Sequence, residues 1–486
     1  MSTLRDSAQR AADVVRAAVE DGSLPSAAFG VAHADLGVVL VEAFGPARPD
    51  APFCLASTTK PIATTLLGAL VDQGCLAFDT PIADLVPELP RGRVVGRPAT
   101  VLDVAAHTAG FGPHHRFFYD DERAPVPVLD AVSRLARPVL PVGRQWRYSN
   151  LGYGVLQVAI ERAGGAPVGE LVSRHVYAPL GMATAGWGGP HGPAGAMARH
   201  LTADERYPGY VTDHPCASEA WCGIDDLMRF GLAHARRSLL RPATHDRLAS
   251  PAAPVQADGA AYAVGWVTRH HGGHRLLIHA GRMGGVGAHL VVVPSLGLVV
   301  AGLAGIETDR LAEAVGMVLA DTVPGYAPPA AQPPWSVGAA HPSMRRRWSG
   351  VMQLGDDELE VVLDATGDRI RLAVAGVSAE LVMPHVQPAM VAGHANLAVD
   401  HPLAPAGSML HLDAVPVGDR GGPGESAPPT RIIGGLTMAR YPTPEQPRQG
   451  DAVTGALHLV AGPGSLRRGS RLRTVDAVAV TAVGDG

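Results

Sequence analysis

At 486 residues the chain predicts two to three domains, and its 47% apolar and 17% charged content suits a globular protein with ample cores. A net charge of −5, with no basic run longer than Arg345, Arg346 and Arg347, excludes nucleic acid as the main partner. No stretch is long and apolar enough to span a membrane, and the first ten residues carry charges without an apolar core, so neither a membrane partner nor a secretory signal is expected.

The N-terminus reads as an amphipathic helix to about residue 20, stopped at Gly22. Residues 27–44 form apolar segments about a turn at Asp35-Leu36-Gly37, a hairpin. The apolar run from Ile62 onward reads as a buried helix, with Ser57 at its N-terminus and Pro61 tolerated in its first turn. Residues 76–89 read as a loop with a short helical turn, and 100–106 as a helix ending at His107-Thr108-Ala109-Gly110. Residues 111–145, with aromatics, His and Pro, are expected to make an irregular lid or lobe edge. A clear helix follows at 151–163, ended by Gly164 and Gly165, and another opens at Asp225 and Asp226, with an aspartate as its cap.

Strands are expected at 262–268, 275–280, 287–293 and 298–303, then a helix at 307–322. Helices enclosed between a hairpin and a later run of strands imply one antiparallel sheet built from both ends of the region, an α+β arrangement. Residues 324–342 are a proline-rich linker. Beyond it, short alternating runs at 351–354, 358–363, 369–374, 379–383, 409–415, 431–439, 456–460 and 475–483 imply a small β-barrel or sandwich, with 416–430 as a mobile loop. The expected domains are therefore 1–323 and 343–486, joined by 324–342.

Of the 40 Lys and Arg residues only one is lysine, Lys60. Arginine holds its proton permanently in a protein, whereas a buried lysine can titrate. The one position that kept lysine is where a neutral amine would serve, as the base for a serine hydroxyl. Ser57 lies three residues before it, on the same helical face. The helix start also offers unpaired N–H groups and a positive dipole end for an oxyanion.

A second element is Tyr148-Ser149-Asn150. In extended chain, residues two apart point the same way, so Tyr148 and Asn150 would face one cleft, the phenol moving a proton and the amide tethering the lysine. A third is His279-Ala280-Gly281, where a glycine on a strand admits a substrate backbone and the N–H of Arg282 is a further oxyanion donor. His279 is read as a polar neighbour, protonated or neutral. Taken alone, these read as a loop tyrosine, a turn asparagine and a structural histidine; their order carries the argument.

In that order, SxxK, YxN and HxG resemble the serine β-lactamase and penicillin-binding-protein superfamily, in its class C-like form. Leu76-Ala-Phe-Asp-Thr-Pro, His107-Thr-Ala-Gly110 and Pro179-Leu-Gly-Met182 resemble further segments of that family, so the resemblance spans about residues 8–322. It implies a β-lactamase/transpeptidase-like domain, with an antiparallel sheet flanked by helices and an all-helical lobe, followed here by a small lipocalin-like barrel. It also implies an acyl-enzyme mechanism. Ser57 is the nucleophile, Lys60 and Tyr148 are the base relay, and Asn150 and His279 assist. The N–H groups of Ser57 and Arg282 hold the oxyanion beside Gly281.

The HxG form, with His where lactamases usually carry Lys, resembles the esterase, D-aminopeptidase and acyltransferase branch. Among its groups, the stand-alone penicillin-binding-protein-type thioesterases take a nonribosomal peptide ending in a D-residue from a peptidyl carrier protein and close it into a ring. That reading comes first. The alternatives are a D-aminopeptidase, amidase or esterase, and, in another class, a non-catalytic binding protein on the same fold.

No cofactor and no metal are expected, since His270, His271 and His274 sit at a turn without carboxylate or cysteine at ligand spacing. Cys54, Cys75, Cys216 and Cys222 form no CxxC pair, so reduced thiols and a cytoplasmic location are expected. His114 and His115 read as loop residues near the cleft, and Arg431 and Arg440 as surface residues of the barrel.

Overall fold

Strand Ala27–His33 pairs antiparallel with strand Leu298–Ala304, from Ala27 against Ala304 to His33 against Leu298, so the two ends of the first region do close one sheet. The structure is a computed structural model. It describes residues 2–90, 97–122, 124–143, 146–254, 260–328, 346–364, 366, 370–374, 377–381, 395–399, 408–417, 431–440, 448 and 450–461.

The first sheet is antiparallel throughout. Its order is Gly37–Phe44, Ala27–His33, Leu298–Ala304, Val286–Val293, His274–Met283, Val267–His271, Ala261–Tyr262 and Ala253–Pro254. Its central strands are apolar on both faces because both are covered. On one face Ala8, Ala11 and Val15 of helix Ser2–Glu20 and Leu311, Val315 and Val318 of helix Arg310–Thr322 pack against Phe29, Val31, Val291 and Val300. The alternate residues, Ala28, Ala32, Leu290 and Val299, belong to the main core with Leu227 and Phe230 of helix Ile224–Arg236.

That core continues into a lobe of helices, including Thr59–Asp72, Val128–Leu135 and Asn150–Gly164. Helix Thr59–Asp72 is buried continuously from Thr59 to Leu70, which is why it shows no polar face.

Local departures from the expectations have local causes. The strand expected at 262–268 is split by a turn in which Ala263 N donates to Trp266 O (2.8 Å). Residues 111–145 hold strand Phe117–Tyr119, paired with Tyr210–Thr212, and helix Val128–Leu135 rather than irregular chain alone. Helix Ile224–Arg236 has Gly223 as its N-cap, with no side-chain cap. Asp226 instead accepts from Thr184 N (2.7 Å) and Thr184 Oγ1 (2.6 Å).

The C-terminal strands form a second antiparallel sheet, ordered Val377–Leu381, Ile370–Val374, Asp357–Asp364, Arg347–Leu354, Ala452–Ala461, Arg431–Arg440, Ser408–Val417 and Ala395–Val399. Its outer strands approach each other, so it curls into a half-barrel. Strand Ala395–Val399 was not anticipated, its sequence Ala-Asn-Leu-Ala-Val having only one β-branched residue. The strand expected at 475–483, and most of the linker 324–342 and of the loop 416–430, lie outside the described residues.

This sheet docks on residues 112–122. His115 N donates to Ala452 O (2.9 Å), Thr454 Oγ1 to Pro113 O (2.6 Å), and Phe117 N to Asp451 Oδ1 (3.0 Å). Gly112 permits the approach, because a Cβ there would lie 2.4 Å from Thr454 Cγ2. Among the described residues no helix is long and apolar enough to cross a membrane.

Helix Val101–Ala105 opens on a capping box between Thr100 and Asp103, and Arg97 grips the Asp103 carboxylate with both guanidinium nitrogens (2.5 and 2.7 Å). Burial pushes the Asp103 carboxyl up, but Arg97 and Thr100 outweigh it and hold it below the usual carboxylate range. Asp103→Ala removes the box and this pair together. Chemical denaturation at neutral pH should show a loss of about 2 kcal/mol. The contribution should be present above the ordinary carboxylate pKa and fade in acid, as pH falls through the depressed value.

Candidate active site

The chain reaches Ser57 through a strained step. Ala56 takes a left-handed backbone (φ +43°), costing on the order of 1–3 kcal/mol. A single 3-10 turn, Ala56–Thr58, then runs directly into helix Thr59–Asp72. The step is pinned by Leu55 N donating to Ala220 O (2.9 Å) and Ala220 N to Thr59 Oγ1 (3.0 Å). Pro61, the third helical residue, removes an N–H that would have no partner within the helix.

Lys60 is fully buried. Its Nζ lies 2.8 Å from Asn150 Oδ1, 3.0 Å from Ala217 O and 3.2 Å from Ser57 Oγ. The first two atoms can only accept. A neutral amine has two N–H bonds and one lone pair, so both N–H bonds are spent on these acceptors and the lone pair faces the serine. Burial drives the Lys60 pKa well below the ordinary lysine value, slightly opposed by the nearby Cys216 thiol.

Tyr148 Oη lies 2.8 Å from Ser57 Oγ. Burial pushes its pKa up, and the hydrogen bond to Ser57 only partly offsets this, so the phenol keeps its proton and donates it. The Ser57 proton is therefore directed at Lys60. This refines the expected relay: the amine can act as base, and the phenol can hand over a proton. Once protonated, Nζ would lie 4.5 Å from the ring centroid of Tyr148 and 5.2 Å from that of Tyr153, within cation–π range of both.

Ser149 explains the geometry of its neighbours. It is extended (φ −142°, ψ 112°), so Tyr148 and Asn150 turn to the same side, and its Oγ caps helix Asn150–Gly164 by accepting from Gly152 N (3.1 Å). His107, itself left-handed (φ +60°), accepts from Ser149 N at Nδ1 (3.2 Å). Its ring packs 4.4 Å from Tyr148, 5.1 Å from Tyr153 and 4.8 Å from Tyr262. Burial keeps it neutral.

Gly281 and Arg282 lie on strand His274–Met283 beside the turn that carries Ser57. Thr58 Oγ1 donates to His279 O (3.4 Å). A Cβ on Gly281 would lie 2.1 Å from Leu55 O, so the close approach itself requires glycine. The Arg282 guanidinium pairs with Thr308 O and Asp309, so a contribution to the acyl site would come from its backbone.

His279 is buried, with its Nδ1 on Ala280 O (2.9 Å) and its Nε2 on the Tyr262 hydroxyl (3.2 Å). Burial, reinforced by Lys60, pulls its pKa down to about 3. It is neutral, not protonated, and it reaches the centre through Tyr262, whose ring lies 6.5 Å from that of Tyr148.

Several neighbours were not anticipated: Ala217, Trp146, Tyr153 and Tyr262, and a buried cluster of His114, Asp213 and His214. No spacing rule links Ala217 or Tyr262 to Lys60 and Tyr148, or His114 to Asp213. His114 Nε2 lies 3.0 and 3.1 Å from the two Asp213 oxygens, and His214 Nδ1 lies 2.8 Å from Oδ1. A metal-bound imidazole hands its other N–H to a partner, but the other nitrogen of His114 is buried with none. With the proton on Nε2, that orphan is a bare lone pair. The donor set therefore fits two N–H bonds converging on a carboxylate better than it fits an ion.

His274 Nδ1 meets Ser295 Oγ (2.9 Å) at its hairpin tip, and Cys54 is buried with Sγ 3.6 Å from Ser218 O. Arg431 and Arg440 bound one strand of the second sheet.

A family model described as Beta-lactamase matches residues 11–332. A protein of Aspergillus campestris, the unguisins hydrolase ungD', is 26% identical over 278 residues, 52% of this chain and 52% of its own length. Esterase EstB of Burkholderia gladioli is 34% identical over 161 residues, 30% of this chain and 41% of its own length. The chain thus spans about half or less of the curated relatives it matches. Among solved structures, SurE with D-Leu superposes with a TM-score of 0.61 at 21% identity, covering 89% of this chain and 98% of SurE, a likeness of fold.

Gly281→Ala tests the contact between strand and nucleophile turn. Displacing Ser57 by the needed fraction of an ångström or more should slow its labelling by a fluorophosphonate about 100-fold. Overpacking should cost about 2 kcal/mol in thermal unfolding.

Proposed function

The chain belongs to the beta-lactamase family, and from that premise we propose that it is a serine acyl-enzyme hydrolase or acyltransferase. One observation carries the reading: a fully buried amine, held by two oxygen acceptors, lies within hydrogen-bond reach of a serine hydroxyl at a helix start.

Ser57 Oγ attacks a substrate carbonyl and its proton passes to Lys60 Nζ. The carbonyl oxygen, now negative, accepts from the N–H groups of Ser57 and Arg282 beside Gly281. As the tetrahedral intermediate collapses, the leaving group takes the Tyr148 proton and Lys60 restores it. Asn150 holds the amine throughout, and His279 keeps Tyr262 in place. In the second half an amine or water gives its proton to the same pair and takes the acyl group.

Within this chemistry, the preferred role is a stand-alone thioesterase of the penicillin-binding-protein type. It takes a peptide ending in a D-residue, presented by a peptidyl carrier protein, and closes it into a ring. Three features support this. Strand pairing with Val267–His271 ends at Ile278, so among the described residues His279 onward is unpaired on that edge, where an extended peptide can add. The likeness to SurE with D-Leu extends over 89% of the chain, more than the first sheet and its helices. Lys60, His107 and Tyr262 are buried, which keeps the amine poor in water and favours a tethered amine as acceptor. The C-terminal half-barrel is read as lipocalin-like, with the division at 324–342. The second reading, hydrolysis of an amide or ester, is favoured by the names of the curated relatives, a hydrolase and an esterase.

Ser57→Ala should abolish covalent labelling by a fluorescent penicillin or fluorophosphonate. Lys60→Arg, which cannot release its proton, should lower the labelling rate about 10³-fold. In the parent, labelling should rise with pH along a limb well below the ordinary lysine range, since the amine must be neutral. A peptidyl thioester mimic ending in a D-residue should yield cyclic product; linear acid alone, across several such peptides, assigns the protein to the hydrolases.

A further inference from the structure

The carbonyl of Ala217 holds the Lys60 amine together with Asn150 Oδ1, and it lies on a short helix, Pro215–Ser218, entered through Asp213 and His214. Both side chains are almost wholly removed from solvent, as is His114, which reaches Asp213 from a segment 99 residues earlier. The backbone of that earlier segment is itself fixed from the far side by Ala452 and Thr454 of the C-terminal sheet. The two segments are also joined by strand pairing of Phe117–Tyr119 with Tyr210–Thr212, and the Asp213 carboxylate adds a charged side-chain link beyond the end of that pairing. Burial pushes its pKa up, but the two imidazoles outweigh this and keep it ionised.

Resting on the acyl-enzyme reading above, we propose that His114, Asp213 and His214 are positioning residues for Lys60: their buried hydrogen-bonded bridge fixes the turn whose Ala217 carbonyl holds the catalytic amine in place and dry. The turn has other ties. Glu219 closes it on itself through Thr212, Gln157 Oε1 accepts from Cys216 N (3.2 Å), and strand pairing sets Thr212 against Phe117. That pairing ends at Thr212, so the Asp213 bridge carries the connection onward into the turn that bears Ala217. If the bridge opens, Asp213 and His214 must find water, and the water enters within Coulomb range of the amine, since a charge on Lys60 is felt at His214. Better hydration favours the ammonium.

The titratable groups facing Lys60 are Tyr148, Tyr153, His107, His279, Cys216 and His214. Those facing the bridge are His115 and Glu219. Glu219, whose carboxyl burial raises to about 7, is also raised by the Asp213 charge, so in Asp213→Asn it would titrate lower, opposite in direction to the expected move of the limb.

The test is the pH profile of Ser57 labelling by a fluorophosphonate in the full chain, with active-site titration and thermal unfolding alongside. Asp213→Asn and His114→Leu should move the rising limb to higher pH by about one unit, with a neutral-pH rate about 10-fold lower. His114→Gln, which keeps an N–H donor toward Asp213, should leave the limb near the parent's. A limb that stays put in Asp213→Asn and His114→Leu, with only the titre or melting temperature reduced, makes the bridge merely structural and overturns the proposal. So does one equivalent of tightly bound divalent metal whose removal by a chelator moves the limb in the parent. If Asp213→Asn does not fold, the contrast of His114→Gln with His114→Leu decides alone. Failure of the underlying reading would look different: Ser57→Ala would still be labelled, or Lys60→Arg would react as fast as the parent.

Discussion

An amine stripped of water is the constraint on which the rest of this structure depends. Lys60 has no exposed surface, two oxygen acceptors and one hydroxyl within hydrogen-bond reach. Burial disfavours the charged form, and in the neutral form the two acceptors take the N–H bonds and leave the lone pair to the serine. An arginine in that place would be a permanent cation in a site with no carboxylate bonded to it, and it would have no lone pair to offer.

The fold serves that requirement from four separate places. Helix Thr59–Asp72 carries the amine and is sealed along its length by the lobe core. The start of helix Asn150–Gly164 delivers Asn150 and, one extended residue earlier, Tyr148. The turn after Asp213 delivers a backbone carbonyl. Strand His274–Met283 closes the wall, so near that Gly281 has no room for a side chain. The strained Ala56 and His107 backbones lie at the joints between these parts, where sheet and lobe geometry over-determine the chain.

Electrostatically the centre is quiet. His107 and His279 are neutral for the same reason as Lys60, and Tyr148 keeps its proton. In the proposed mechanism, charge arises there when the serine gives up its proton. The surrounding groups then act as fixed dipoles and aromatic faces already in position, which is how a low-dielectric site stabilises a transient ion pair without reorganising.

Much of this was legible in the chain. A single lysine among 40 basic residues marked the amine, and its spacing of three from a serine followed from helical periodicity. Alternation in residues 27–44 and in the later strands foretold a sheet shared by both ends, and the proline-rich stretch separated off a second set of strands. Such features are local, because periodicity, turn chemistry and spacing act over a few residues. What only the tertiary structure decided acts across the chain. It sets the neutral state of His279, the burial that holds the Tyr148 proton, and the meeting of His114 with Asp213 and of Ala217 with Lys60. Proton affinity depends on how much water and which charges surround a group, and those are set by segments a hundred or more residues away that no local pattern names.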